Sequence, residues 1–367
     1  MRKISAQYIF TMTGRPLRRG VVTVAGDGTV TAVEDTGGNL TESAGTEFYN
    51  GIIIPGLINC HTHLELSHMR GLIPAGDGLS EFVEAVRTRR EASQEEVVAA
   101  AAQADREMYA EGIAACGDIS NNSLTAAIKR NSVISYLTFA EVFGSDPSVA
   151  ETRMENAMKV VRELSASHLP VQITPHSLYS ISPPLWQKIR EQIRPGSVIS
   201  LHFLESDDER RMTSLHAAKA LDLSHLAAHM LLVHNTVITR DEASAVASAG
   251  NTWFCLCPSS NMHISGMMPP AAILREITDR IVIGTDSLAS TASLSMIREL
   301  KLLQDAAPHI PLEELVRWGT LNGARALKME DTLGSIEPGK KPGILLVEPV
   351  DLVNMRLLPE SRVSRLL

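Results

Sequence analysis

The sequence is poor in cysteine: Cys60, Cys116, Cys255 and Cys257 are the only four among 367 residues, and they are scattered. That excludes a disulfide scaffold and fits a reducing, cytoplasmic setting. Basic residues are outnumbered, 34 Lys+Arg against 42 Asp+Glu, and aromatics make up only 4% of the chain. With no basic stretch interleaved with aromatics, a nucleic-acid surface is excluded. No apolar run approaches the roughly 18–20 residues a membrane span needs. The opening "MRKISAQYIFTMTG" lacks the apolar core of a signal peptide. A glycine fingerprint of the G-x-G-x-x-G kind, an internal repeat and a low-complexity tract are also missing. What remains is an ordinary globular chain, 44% hydrophobic, long enough for a large core and a second small domain.

The text of the chain changes character twice. Up to about residue 50 it reads as short strands and turns, and "VVTVAGDGTVTAVED" is a hairpin signal, an alternating run broken by Gly-Asp-Gly. Beyond that, short apolar runs alternate with helical stretches. The candidate strands are "GIIIPGLIN", "GIAACGD", "VISYLTFA", "VQITP", "VISLHF", "MLLVH", "TWFCLC" and "IVIGTD". Eight strands separated by segments such as "VAETRMENAMKVVRELSA", "PPLWQKIREQI", "DDERRMTSLHAAKAL" and "TRDEASAVASA" predict an α/β fold, a (β/α)8 TIM barrel. A doubly wound open sheet is the competitor, weakened by the missing glycine fingerprint. After about residue 330 the chain returns to strand-like text, "LGSIEPGKKPGILLVEPV". The expected domains are therefore 53–330 for the barrel, with 1–52 and 331–367 joining as a small β-sandwich.

In such barrels chemistry sits where strands end. The first candidate strand ends in His61 and His63, the fourth in His176, the fifth in His202, the sixth in His234 and the eighth in Asp286. On an extended segment His-x-His points both imidazoles to one face, since the side-chain period is two. Alone, that dipeptide reads as an ordinary surface or hydrogen-bonded pair. Joined by His202 and Asp286 at matching strand ends, it predicts a nitrogen-rich site for one divalent metal, zinc for preference and Fe2+ as the alternative.

Those motifs, "PGLINCHTHLELS", "TPHSLYSIS", "LHFLES", "LLVHN", "CPSSNMHISG", "GTDSLAS" and "TLNGARAL…LGSIEPGKK", resemble the amidohydrolase superfamily in its deaminase and chlorohydrolase branch. The resemblance implies that His61, His63, His202 and Asp286 are the metal ligands and that Asp286, Glu205 and His234 are catalytic. Glu205 would be a proton shuttle, and His234 would polarise the nucleophile. The bland reading of Glu205 is a solvated residue leading into "ESDDERR". The resemblance also implies substrate contacts for His176 and Asn261, with a buried structural histidine and a loop-ordering asparagine as alternatives. Ser287 has two candidate roles, holding Asp286 or touching substrate. Since "ITPHS" offers no lysine at the fourth strand end, one metal is expected rather than a carbamylated-lysine pair. "GKKPGILLV" departs from the usual "GKKADLVLL" by losing the acidic residue, in the β-domain and away from the chemistry.

The substrate is written less clearly. Glu65 is next in phase after His63 and His68 follows, so both are candidate substrate groups. The loop "GLSEFVEAVRTRR" offers Arg87, Arg89 and Arg90, of which Arg87 and Arg90 are candidates for a substrate carboxylate; a solvated arginine face is the alternative. "HTHLELS", this loop and its arginines resemble bacterial aminodeoxyfutalosine deaminases of menaquinone synthesis, whose substrate is an adenine nucleoside bearing a benzoate. The alternatives are deamination of S-adenosylhomocysteine or methylthioadenosine, a guanine deaminase, a triazine chlorohydrolase, and a non-catalytic binding relative. A small-molecule substrate, a homodimer, and neither nucleic acid nor membrane as partner complete the expectation.

Overall fold

The structure, a computed structural model, describes residues 1–39, 45–214 and 216–367. It divides into two compact units, one of Met1–Ile58, Met108–Ala115 and Ser295–Leu367, the other of Asn59–Glu107 and Cys116–Leu294.

The first unit holds strands from both ends of the chain. They are β1 (Arg2–Ile9), β2 (Leu17–Arg18), β3 (Val21–Val24), β4 (Val30–Glu34), β5 (Thr46–Pro55), β14 (Ile344–Asp351) and β15 (Arg356–Arg365). They share one seven-stranded sheet in the order β15-β14-β5-β1-β3-β4, with β2 on β1. The Gly-Asp-Gly hairpin forms between β3 and β4, Gly28 taking φ 86° at the turn. Alternation in these strands sends Ile4, Ala6, Val22, Val24, Ile53 and Leu346 into one apolar cluster.

The run "GIIIPGLIN" is two strands rather than one. β5 ends at Pro55 and pairs with β1 and β14, while β6 (Leu57–Thr62) joins a different sheet. Gly56 is the pivot. A Cβ there would stand 2.4 Å from the carbonyl oxygen of Pro342, an approach only glycine permits.

Further along, β6, β7 (Ile113–Ser120), β8 (Ser135–Val142) and β9 (Val171–Pro175) form one four-stranded sheet in that order, with β6 from Asn59, β7 from Cys116 and all of β8 and β9 in the second unit. Strands β10 (Val198–Phe203), β11 (His229–His234), β12 (Thr252–Leu256) and β13 (Ile281–Ile283) form another, all parallel. These strands are buried almost throughout, as continuous apolar parallel strands are. Parallel bridges Thr62↔Asp286 and Ser177↔His202 join the outer edges of the two sheets. Between strands lie helices, among them α1 (Leu79–Arg89), α2 (Gln94–Ala110), α3 (Ala126–Asn131), α4 (Ala150–Ala166) and α5 (Pro183–Gln192). Then come α6 (Asp207–Met212), α7 (His216–Ser224), α8 (Arg240–Ala247), α9 (Pro258–Ser265) and α10 (Ala271–Ile277).

Two helical expectations change. "GLSEFVEAVRTRR" is a helix, α1, rather than a loop; its residues are good helix formers and Glu84–Arg87 ties one turn to the next. "DDERRMTSLHAAKAL" is two helices broken at Thr213, whose backbone is extended. Its hydroxyl neighbourhood, Thr-Ser, is a poor helix interior.

Candidate active site

Four histidines and an aspartate meet where the strands of the second unit end. His61 closes β6, His63 follows it, His202 lies in β10, His234 ends β11 and Asp286 follows β13. All five are buried. The Nε2 atoms of His61 and His63 lie 3.2 Å apart, and Asp286 Oδ1 stands 3.6 Å from the first and 3.3 Å from the second. A tetrahedral ion with bonds of about 2.0–2.1 Å needs ligand atoms about 3.3–3.4 Å apart. The donor set therefore fits a divalent metal, and the remaining atoms agree. His202 Nδ1 donates to the carbonyl of His176 at 2.9 Å, which leaves its Nε2 as a ligand lone pair. His61, His202 and His234 bring donor atoms within 4.8 Å of one another.

Backbone and second contacts hold this cluster. Asp286 has φ 61° and His234 has φ 76°, left-handed conformations that cost about 1–3 kcal/mol each and persist only where the surroundings enforce them. Both Thr285 and Asp286 donate backbone N–H groups to His61 O, at 3.0 and 2.9 Å. Thr62 Oγ1 returns a bond to Asp286 O at 3.0 Å. Gly284 permits this approach, since a Cβ on it would meet His61 Cβ at 2.7 Å. Ser260 and Ser290 donate to Asp286 Oδ2 at 2.6 and 2.9 Å, so Oδ1 alone faces the histidines. Those histidines hold the Asp286 carboxyl well below its ordinary range against the effect of burial. Burial in turn depresses His61, His202 and His234, and takes His63 to about 4, so all four rings stay neutral and able to ligate.

Glu205 follows β10 after Leu204, which is left-handed at φ 50°. Its Oε1 lies 3.5 Å from His234 Nε2, and its carboxylate, His234 and Asp286 form one group within 4.8 Å. Burial, helped by the charge of Asp286, pushes its carboxyl up to about 8. An acid that keeps its proton at neutral pH thus faces a carboxylate that has lost its own.

The other predicted residues divide. His176 joins the cluster, its ring 4.5 Å from that of His202. Asn261 stands behind His234, accepting from its Nδ1 at 3.2 Å and donating to Thr236. Ser287 is buried next to Asp286, its carbonyl accepting from the Ser290 backbone N–H at 3.0 Å. Glu65 does not continue the strand. Asp118 Oδ1 captures the N–H of Leu64 at 2.7 Å and the chain enters a 3-10 turn, Leu64–Met69. Glu65 Oε2 then accepts from Asn121 N at 3.0 Å and Asn122 Nδ2 at 2.7 Å, with Arg90 3.7 Å from Oε1. Burial pushes its carboxyl up to about 7. His68 is bonded through Nε2 to the Arg90 carbonyl, Arg89 donates to Leu72 O, and Arg87 is exposed and paired with Glu84. Arg90 lines a cavity of 540 Å3 with Asn121, Asn122, Glu141, Phe143 and Arg153.

Sequence reasoning missed Glu141, Asp118, Lys129, Ser260 and Ser290. Glu141 accepts from His176 Nδ1 at 2.7 Å. Although burial opposes it, the histidine holds the carboxyl down near 2. Asp118 forms a fully buried ion pair with Lys129. A charged residue closing an apolar strand was the available signal for Asp118 and Glu141.

The chain belongs to the amidohydrolase family, whose model matches residues 52–363, and it is a hydrolase acting on C–N bonds. It is 25% identical over 328 residues to a 5-methylthioadenosine/S-adenosylhomocysteine deaminase of Teredinibacter turnerae, covering 82% of this chain and 72% of that one. An adenosine deaminase of Helicobacter pylori is 26% identical, with 80% and 78% covered. The fold is similar to the Helicobacter pylori aminofutalosine deaminase in complex with methylthio-coformycin, at a TM-score of 0.82, 22% identity, and 99% and 97% coverage.

Proposed function

We propose that this chain is a metal-dependent hydrolytic deaminase of an adenine nucleoside, releasing the C6 amino group as ammonia. One observation carries the reading: Glu205, His234 and Asp286 meet in one buried group at the donor cluster, where burial favours the protonated form of Glu205 and the histidines favour the ionised form of Asp286. His61, His63, His202 and Asp286 would hold the ion. When bound, a divalent metal supplies Lewis acidity and lowers the pKa of water from near 16 to about 7. Asp286 takes a proton from the attacking water, and His234, oriented by Asn261, hydrogen-bonds that water. Glu205 protonates the purine ring nitrogen as the C6–O bond forms; the C6–N bond then breaks as the amino group takes the proton held by Asp286, and the C6 hydroxyl proton returns to Glu205. Water and the aminopurine become ammonia and the hypoxanthine nucleoside.

Within that class the favoured substrate is aminodeoxyfutalosine, which would set the enzyme in menaquinone synthesis. Arg90, in the cavity beside Glu141, offers a guanidinium to its carboxylate. S-Adenosylhomocysteine and methylthioadenosine are the alternatives, supported by the relatives' names. The same reading takes strands β6–β13 as a (β/α)8 barrel closed through the Thr62–Asp286 and Ser177–His202 bridges, with the seven-stranded sheet as a β-sandwich of residues 1–52 and 331–367. Zinc, a homodimer and a cytoplasmic setting belong to it too, to be checked by elemental analysis, light scattering and fractionation.

The test is ammonia release by the zinc-loaded protein from aminodeoxyfutalosine, S-adenosylhomocysteine, methylthioadenosine, adenosine, guanine and cytosine. Turnover of at least one adenine nucleoside is expected, and turnover of none rejects the reading. Glu205→Gln is expected to keep the metal and lose about 10²–10⁴-fold in rate; unchanged activity removes Glu205 from the shuttle role.

A further inference from the structure

We infer that Glu141 is a positioning residue that fixes the His176 ring for contact with substrate, as the last link of a hydrogen-bonded wall running Glu65–Asn121–Glu141–His176. The inference rests on the reading that His176 meets the nucleoside. Glu141 is the penultimate residue of β8 and its side chain is only 4% exposed, so its carboxylate is no solvated surface group. Both oxygens are used. Oε1 accepts from His176 Nδ1 at 2.7 Å, and Oε2 accepts from Asn121 Nδ2 at 3.1 Å. Asn121 is held in turn, because its backbone N–H donates to Glu65 Oε2 at 3.0 Å. Each residue is therefore held by the one before it, across the ends of four successive segments of the sheet β6-β7-β8-β9.

The chemistry of the pair sets what His176 offers. An ionised carboxylate only accepts, so the Nδ1 that faces it must carry a proton. The ring plane is then fixed and Nε2 is left for a ligand. Among ring neighbours, Phe143 at 6.1 Å and Tyr179 at 6.3 Å meet the imidazole by edge contacts and the His202 ring lies tilted beside it at 4.5 Å, while the hydrogen bond to Glu141 fixes which way Nδ1 points. Without Glu141 the ring would lose the partner that sets its plane and would be free to turn, changing which atom faces the substrate. The loss should appear in substrate binding, because Glu141 donates nothing to the reacting carbon.

The test compares wild type, Glu141→Ala and Glu141→Gln, each zinc-loaded, on whichever nucleoside of the panel wild type turns over fastest. Glu141→Ala is expected to raise KM about 10–100-fold, the usual cost of removing such an orienting partner, with zinc content unchanged. Glu141→Gln keeps an acceptor for Nδ1–H once Asn121 turns its amide over, and restores most of the loss. Proton-detected 15N spectra of histidine-labelled protein, with His176 assigned by His176→Asn, should show the wild-type ring protonated on Nδ1. A wild-type KM in Glu141→Ala overturns the inference. So does a loss that Gln fails to restore, or a wild-type ring protonated on Nε2 alone. If Glu141→Ala does not fold, Glu141→Gln and the wild-type spectrum decide. If wild type turns over no adenine nucleoside, the functional reading fails while the spectrum still judges Glu141.

Discussion

Lys129 holds its charge where no water reaches it. Its ammonium is fully buried, paired with Asp118 and hydrogen-bonded to Ser120 Oγ at 2.8 Å and Thr138 Oγ1 at 3.2 Å. Three partners match the three donors of an ammonium, so the pair is satisfied and its desolvation is offset. Asp118 then spends its other oxygen on the N–H of Leu64, the residue after His63. A charge on α3 is thereby coupled to the turn that ends the His-x-His segment. Lys129→Met keeps the bulk and strands a buried carboxylate, so unfolding free energy should fall by about 3–5 kcal/mol, read by urea denaturation at pH 7. Adding Asp118→Asn should recover part of that, since Asn still accepts from Leu64. A single variant within about 1 kcal/mol of wild type would mean that the pair does not hold this region.

At the scale of elements, the turn from β10 into α6 repeats the device with a titratable group. Glu209 is fully buried, and its Oε2 accepts the backbone N–H of Glu205 at 2.9 Å while Ser206 Oγ caps Glu209 N. That contact holds the residue after left-handed Leu204. Burial pushes the Glu209 carboxyl up from its ordinary 4.5 to about 7. With the folded value above the unfolded one, its contribution is fully present below about pH 4.5 and fades as pH rises through about 7. Stability should therefore decline over that interval, and Glu209→Gln should flatten the decline, as urea midpoints at successive pH values would reveal. An unchanged slope in the variant would assign the pH dependence elsewhere.

The same element separates what sequence can tell from what it cannot. His202 and Glu205 were legible because "LHFLES" sets polar residues at the end of an apolar strand. Glu209 was not, because an acidic residue in "ESDDERR" looks the same whether it faces water or the backbone. The pattern of periods likewise placed β8, α4, α5 and α8 within a residue or two, but it joined β5 to β6 and carried Glu65 along a strand that stops. Both errors have one cause: a long-range contact, Pro342 on Gly56 and Asp118 on Leu64, overrides the local alternation. Arg87 and Arg90 were indistinguishable in the text, and only packing separated the exposed Arg87 from Arg90 beside Glu65.

For the molecule as a whole, the ligand set bears on stability as much as on chemistry. His61, His63, His202 and Asp286 come from segments far apart in the chain, yet all belong to the second compact unit. An ion that binds them binds only the folded arrangement, because the unfolded chain does not keep the four together. Free zinc at about 100 times its dissociation constant then adds about 2.7 kcal/mol. With an unfolding entropy of about 2.1 cal/mol/K per residue, a chain of this length should melt about 3–4 °C higher with zinc than after chelation. Calorimetry of chelated and zinc-loaded protein measures this, and His61→Ala should remove the shift, its zinc-loaded and chelated samples melting together. If the unit melts on its own, the entropy is divided among fewer residues and the shift grows rather than shrinks. Equal melting points with and without zinc would therefore speak against a metal at these residues, whatever the activity assays give.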